Sequence, residues 1–187
     1  MRHIKAGTGF SLLELLIALA IVSIIATYAA PSFNNLLKEF ARRSNTSNLV
    51  ALINTARHTA IQKQTSVTLC PIDSANTCTK NWERPVTAFF DPNRNKKIDS
   101  DEVIIRQLLP EQSGFLNGRT GIRDYFRFRP SGLAREAIGS IVWCPRDRDN
   151  RYASHISINM GGRPRTASDT DGDGIVEDAS GNPTSCT

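Results

Sequence analysis

Histidine is scarce in this chain of 187 residues: His3, His58 and His155 are the full set. None stands beside a recognisable nucleophile motif, and neither a Gly-x-Ser-x-Gly elbow nor a Walker loop occurs. The chain therefore reads as a non-enzyme, with ordinary surface or interface histidines. Cysteine is limited to Cys70, Cys78, Cys144 and Cys186, without a Cys-x-x-Cys pair or a histidine at ligand spacing, which argues against zinc. No internal repeat or low-complexity block is present. The longest absence is of charge, since no charged residue falls between Glu14 and Lys38.

That uncharged stretch has the dimensions of a membrane span. Phe10 to Ala30 would be about 31 Å long as a helix, close to the hydrocarbon thickness of a bilayer. Arg2, His3 and Lys5 precede it and hold that end in the cytoplasm under the positive-inside rule. The bulk of the chain then lies on the far side. Tyr28-Ala29-Ala30 is a poor cut site for an ordinary secretory signal, and Pro31 follows it at once. Glu14 is the anomaly, because a carboxylate at a membrane helix costs a few kcal/mol unless something pairs with it. It either rests unpaired in the headgroup zone or meets a cation.

Length and a 40% hydrophobic content suit one membrane helix and one modest globular domain. The formal charge of +5 falls to +3 in side chains if Arg2 and Lys5 are removed, a balance that permits a polyanionic partner without demanding one. Beyond the membrane the four cysteines can form disulfides in three ways. Cys70–Cys78 would close a short polar loop and Cys144–Cys186 would tie the last residues to a predicted strand, which favours that combination.

After Pro31, Phe33, Leu37, Phe40, Leu49, Ile53, Ala56 and Ala60 keep helical spacing, so an amphipathic continuation is expected over 31–64, with weak helix or a loosened turn at Ser44–Asn48. Strands are expected at Ser66–Cys70, Val86–Phe90, Val103–Leu108, Tyr125–Arg129, Ser140–Cys144 and His155–Asn159. Turn signals stand at Asp91-Pro92-Asn93, Asn117-Gly118, Pro130-Ser131-Gly132 and Gly161-Gly162. The fold class is α+β, one long N-terminal helix laid on a mostly antiparallel sheet.

Two acidic stretches have the spacing of calcium loops. Asp91, Asn93, Asn95, Asp99 and Glu102 follow an EF-hand pattern, but Lys96 occupies the place of its glycine. Asp169, Asp171 and Asp173 with Gly174 at the sixth place and Glu177 at the ninth form the better cluster, although Ser180 at the twelfth cannot supply a bidentate carboxylate. Calcium at this second cluster and a solvated acidic tail are the two readings.

Gly162-Arg163-Pro164-Arg165 follows a predicted strand. Gly161 and Gly162 allow a sharp turn, and Pro164 stiffens the segment and holds two guanidinium groups clear of the strand, each able to fork onto phosphate. Two arginines in a turn are otherwise solvated or paired with acids, and Asp169, Asp171 and Asp173 are close in sequence. Lys96 and Lys97, and Arg146, Arg148 and Arg151, can widen a basic surface, although Arg146-Asp147-Arg148-Asp149 nearly neutralises itself.

Gly9-Phe10 with Glu14, followed by Pro31, resembles the leader and first helix of type IV pilins and their pseudopilin relatives. Gly162-Arg163-Pro164-Arg165 is similar to the Gly-Arg-x-Arg signature of FimT-type minor pilins of the GspH/FimT family. The resemblance implies the type IV pilin fold, a leader over 1–9, a transmembrane helix over 10–30 and a β domain with a C-terminal tail over 65–187. It implies that a prepilin peptidase cuts after Gly9 and that Phe10 is N-methylated. Glu14 then pairs with the freed amino group of Phe10 on a neighbouring pilin or pseudopilin. It also implies a single pass through the inner membrane, a periplasmic domain and later incorporation into a filament. Double-stranded DNA is the expected partner of Arg163 and Arg165, turned by Gly162 and supported by Lys96 and Lys97, for uptake in natural transformation. A GspH-like minor pseudopilin of a type II secretion system, or a minor pilin that primes assembly, shares the same fold and processing.

Overall fold

The computed structural model describes residues 11–134 and 138–187, without the side chains of residues 28–31. The chain divides into two compact units at Leu37/Lys38. Helix α1 spans Leu12–Lys63. Ser11 caps it, its Oγ accepting the Glu14 N–H at 3.2 Å, so a first-turn amide that has no helical partner is satisfied. In the first unit the helix carries an 18-residue stretch of mean hydropathy 2.3, none of it buried within the chain. Ser23 and Thr27 return their hydroxyls to the carbonyls of Leu19 and Ile24 at 2.7 Å, so neither of these two hydroxyl protons faces an apolar medium.

In the second unit α1 buries Leu49, Leu52, Ile53, Ala56 and Ala60, spaced as one helical face. Of the two readings of Ser44–Asn48, weak helix or a loosened turn, the structure has the helix, which runs through it. Asn45 donates to the Ala41 carbonyl at 2.9 Å and to Glu111 at 2.7 Å, and Thr46 donates to the Arg42 carbonyl at 2.6 Å. These polar side chains are engaged instead of competing with the helix backbone. Gln64 ends the helix in the left-handed region at φ +51°.

Eight strands follow: β1 Val67–Pro71, β2 Val86–Phe90, β3 Ile104–Leu108, β4 Gly114–Arg119, β5 Phe126–Phe128, β6 Gly139–Pro145, β7 Ser154–Ile158 and β8 Pro164–Thr166. They form two antiparallel four-stranded sheets, ordered β3-β2-β1-β5 and β4-β6-β7-β8, where one sheet was expected. One apolar core joins α1 to both, with Leu52, Ile53, Leu69, Phe89, Phe126, Ile141 and Ile156 among its members. Alternation along β6 puts Val142 and Cys144 in a smaller cluster with Ala153 and Cys186, so the C-terminal tail covers that second group. The disulfides are Cys70–Cys78 and Cys144–Cys186, the favoured pairing of the three.

Asn117-Gly118, expected as a turn, lies inside β4 opposite Val142 and Ile141. A Cβ at Gly118 would lie 2.0 Å from the Trp82 ring, so the glycine makes room for a tryptophan rather than for a bend. Trp82 meets Phe126 edge-on, with centroids 6.0 Å apart.

Candidate nucleic-acid interface

The β7–β8 hairpin positions the two candidate arginines. Its turn is closed by the Gly162 N–H bonding the Asn159 carbonyl at 2.9 Å, with Gly162 at φ +70°. A Cβ there would lie 2.3 Å from the Gly132 carbonyl oxygen, so conformation and close approach both require glycine. Arg57, on α1, donates from Nε to the Gly132 carbonyl at 3.1 Å and to the Gly161 carbonyl at 3.3 Å, and Ala134 N–H bonds the Met160 carbonyl at 3.0 Å. The helix thus ties the 130–134 loop to the turn. Sequence reasoning missed Arg57, since its partners lie 75 and 104 residues away.

Part of the Gly162-Arg163-Pro164-Arg165 segment is itself a strand, since Pro164, Arg165 and Thr166 pair with Ile158, Ser157 and Ile156 as edge strand β8. A proline is tolerated at an edge, where its missing N–H breaks no ladder. Arg163 and Arg165 are both exposed beside a half-buried Pro164, two positions apart as residues on one face of an extended segment are. Neither guanidinium has a hydrogen bond or ion pair among the described residues. The alternative of pairing with Asp169, Asp171 or Asp173 is not what the geometry shows.

The other basic candidates differ. Lys96 adopts φ +65° and turns its Nζ to Asp124 at 3.5 Å and over the Tyr125 ring at 5.6 Å. Lys97 is exposed, and both lysines follow β2 of the first sheet while the arginines belong to the second. Arg146 pairs with Glu83 at 3.2 Å, Arg151 pairs with Asp149 at 2.8 Å, and Arg148 lies over the Phe115 ring at 5.7 Å. Lys38 also bonds Asp147, so this tract is largely neutralised.

His155 departs from the expected surface or interface placement of the histidines. It is 4% exposed in β7, and its Nδ1 meets Thr184 Oγ1 at 3.2 Å, while His58 is exposed. Burial, helped by Arg119, pushes its pKa below the ordinary histidine value against an opposing pull from Asp178. A shallow groove lined by His155, Ser157, Arg165, Thr170, Glu177 and Asp178 runs beside β8.

The first calcium pattern fails on Asp91, which is fully buried in an ion pair with Arg127 at 2.9 Å and accepts from Thr68 Oγ1 at 2.5 Å. Arg127 also donates to the Arg94 carbonyl at 3.0 Å and stacks 4.7 Å from the Tyr125 ring. Asn93 and Asn95 donate to Asp99 at 2.9 and 2.7 Å, so the tract is a self-bonded polar turn. In the second pattern Asp169, Asp171 and Asp173 are exposed and Glu177 is buried, with one carboxylate oxygen of each within 4.8 Å of the others. Glu14 is exposed at the first turn of α1; Gly9 and Phe10, the expected cleavage and methylation pair, lie outside the described residues.

Comparison with known proteins agrees with this architecture. The family model "Type II transport protein GspH" matches residues 45–162, and that of the prokaryotic N-terminal methylation motif matches residues 5–30. The type IV minor pilin FimU of Pseudomonas aeruginosa PAO1 is similar in two crystal forms. One gives a TM-score of 0.51 at 14% identity over 78% of this chain and 99% of that chain, and the other 0.50 at 15% over 78% and 94%. At such identity the likeness speaks for the fold, which is the type IV pilin fold. No curated protein matches the sequence. The leader motif, the apolar helix and a family model covering most of the globular unit agree: the chain belongs to the GspH family and is a pilin-like subunit, a minor pilin or pseudopilin.

Proposed function

We propose that this subunit is a minor pilin of a type IV pilus that binds double-stranded DNA through Arg163 and Arg165 during natural transformation. The observation that carries the reading is a pair of exposed arginines without partners among the described residues, at an edge strand set by a buried glycine turn. Two free forks on a stiff base suit phosphate, and phosphate contact without base reading suits uptake of any sequence. No catalytic role is assigned. Before assembly the helix crosses the inner membrane once with the domain in the periplasm, and in the filament it contacts other pilins, Glu14 pairing with a neighbour's Phe10 amine.

Replacing both arginines by glutamine in a competent host tests the reading. Transformation should be lost while pili still assemble. Unchanged transformation refutes it and favours the second reading, a GspH-like minor pseudopilin of a type II secretion system or a pilin that only primes assembly. That reading draws on the family match and on the acidic tract 169–178, of which Glu177 and Asp178 line a groove with Arg165 and repel a polyanion. Processing is checked separately by intact mass from native membranes. The mature chain should begin at an N-methylated Phe10, and one beginning at Met1 contradicts prepilin cleavage.

A further inference from the structure

The loop between β8 and the C-terminal tail gathers four carboxylates, and one of them is set apart from a solvated acidic tail. Glu177 is 7% exposed, and its Oε1 is buried with no hydrogen-bond partner among the described residues. Its other oxygen accepts from the Thr170 N–H and Oγ1, both at 2.6 Å, which fixes the carboxylate in place. A buried anionic oxygen left without a donor costs free energy unless a cation meets it. Asp169, Asp171 and Asp173 each bring a carboxylate oxygen to within 4.8 Å of an oxygen of the Glu177 carboxylate and of one another.

We infer that Asp169, Asp171, Asp173 and Glu177 form a calcium site. The donors are all hard oxygens, without sulfur or imidazole, which selects a hard cation. Oxygens about 2.4 Å from one calcium ion stand at most about 4.8 Å apart, whereas magnesium ligands at about 2.1 Å must crowd closer. Gly174, at the sixth place counted from Asp169, has φ +88°, and lets the loop turn between the third aspartate and Glu177. The 91–102 stretch has the same spacing but its first aspartate is bonded to Arg127, so sequence spacing alone does not separate the two.

Bound calcium clamps β8 to the tail. Glu177 N–H bonds the Ser168 carbonyl, and the Thr184 N–H bonds the Val176 carbonyl at 2.9 Å, two residues before Cys186 and its disulfide to β6. The site does not depend on DNA binding.

Calorimetric titration of chelator-stripped full-length chain in detergent with calcium chloride tests the site, with magnesium chloride as the comparison. One calcium per chain should bind with a Kd of roughly 0.1–1 mM, as in extracellular modules, and melting temperature should rise with calcium more than with magnesium. Glu177→Gln should weaken binding by about tenfold or more, and Asp171→Asn, at an exposed position, should do the same in a chain whose fold is not at risk. No saturable heat up to about 10 mM calcium, equal response to magnesium, or a folded Asp171→Asn chain with unchanged affinity would overturn the assignment.

Discussion

Single residues decide more of this structure than their sequence neighbours suggest. Asp91 looks like the first ligand of a cation loop, yet its carboxylate faces Arg127 in the interior. Removing one member of such a pair is far more costly than the pair's net worth, so Asp91→Ala should destabilise the chain by about 3–5 kcal/mol in urea unfolding. A loss below about 1 kcal/mol would show the pair to be screened by solvent. His155 is a buried residue through which pH acts near neutrality. Its folded pKa is depressed below 6.5, so its contribution to stability is complete above that unfolded value and drains away as pH falls through it. Melting temperature should therefore decline as pH falls below about 6.5, and His155→Gln should flatten that limb of the profile. Further acidification engages Glu39, which Arg42 and Arg43 hold at about 2 against the burial that raises it; its share is lost between 4.5 and that value.

At the scale of elements, the long helix and the β-branched strands were legible because apolar period and residue type state them directly. β4 was not, since Asn117-Gly118 carries the signature of a turn while the reason for Gly118, the Trp82 ring, comes from a distant segment. β8 was hidden for a similar reason, being a three-residue edge strand that begins with proline. The division into two sheets was equally illegible, because a strand's pattern shows which face is buried but not which strand lies beside it. The Gly-Arg-Pro-Arg segment could be located in sequence, but the Arg57 clamp and the Gly132 carbonyl that fix it could not. Gly118→Ala should cost about 1–3 kcal/mol by forcing Trp82 from its place, seen as a lower urea midpoint with a changed tryptophan emission. An unchanged midpoint and spectrum would mean that the ring moves aside freely.

For the whole molecule, an apolar helix and a β domain do different work in one chain. The apolar stretch of the first is not buried among the described residues and is suited to a bilayer or to the helices of other subunits. The second carries the exposed Arg163 and Arg165, and their contact with DNA is the claim on which the proposed function rests. Fluorescence anisotropy of labelled duplexes against purified full-length protein, over a range of salt concentrations, tests that claim most directly. Affinity should be the same for unrelated duplex sequences, and Arg163→Gln and Arg165→Gln should each weaken it and lower the salt slope by about one unit, with melting temperature unmoved. A double variant that binds with the parent's affinity and salt slope would contradict the account and leave the hairpin a structural turn.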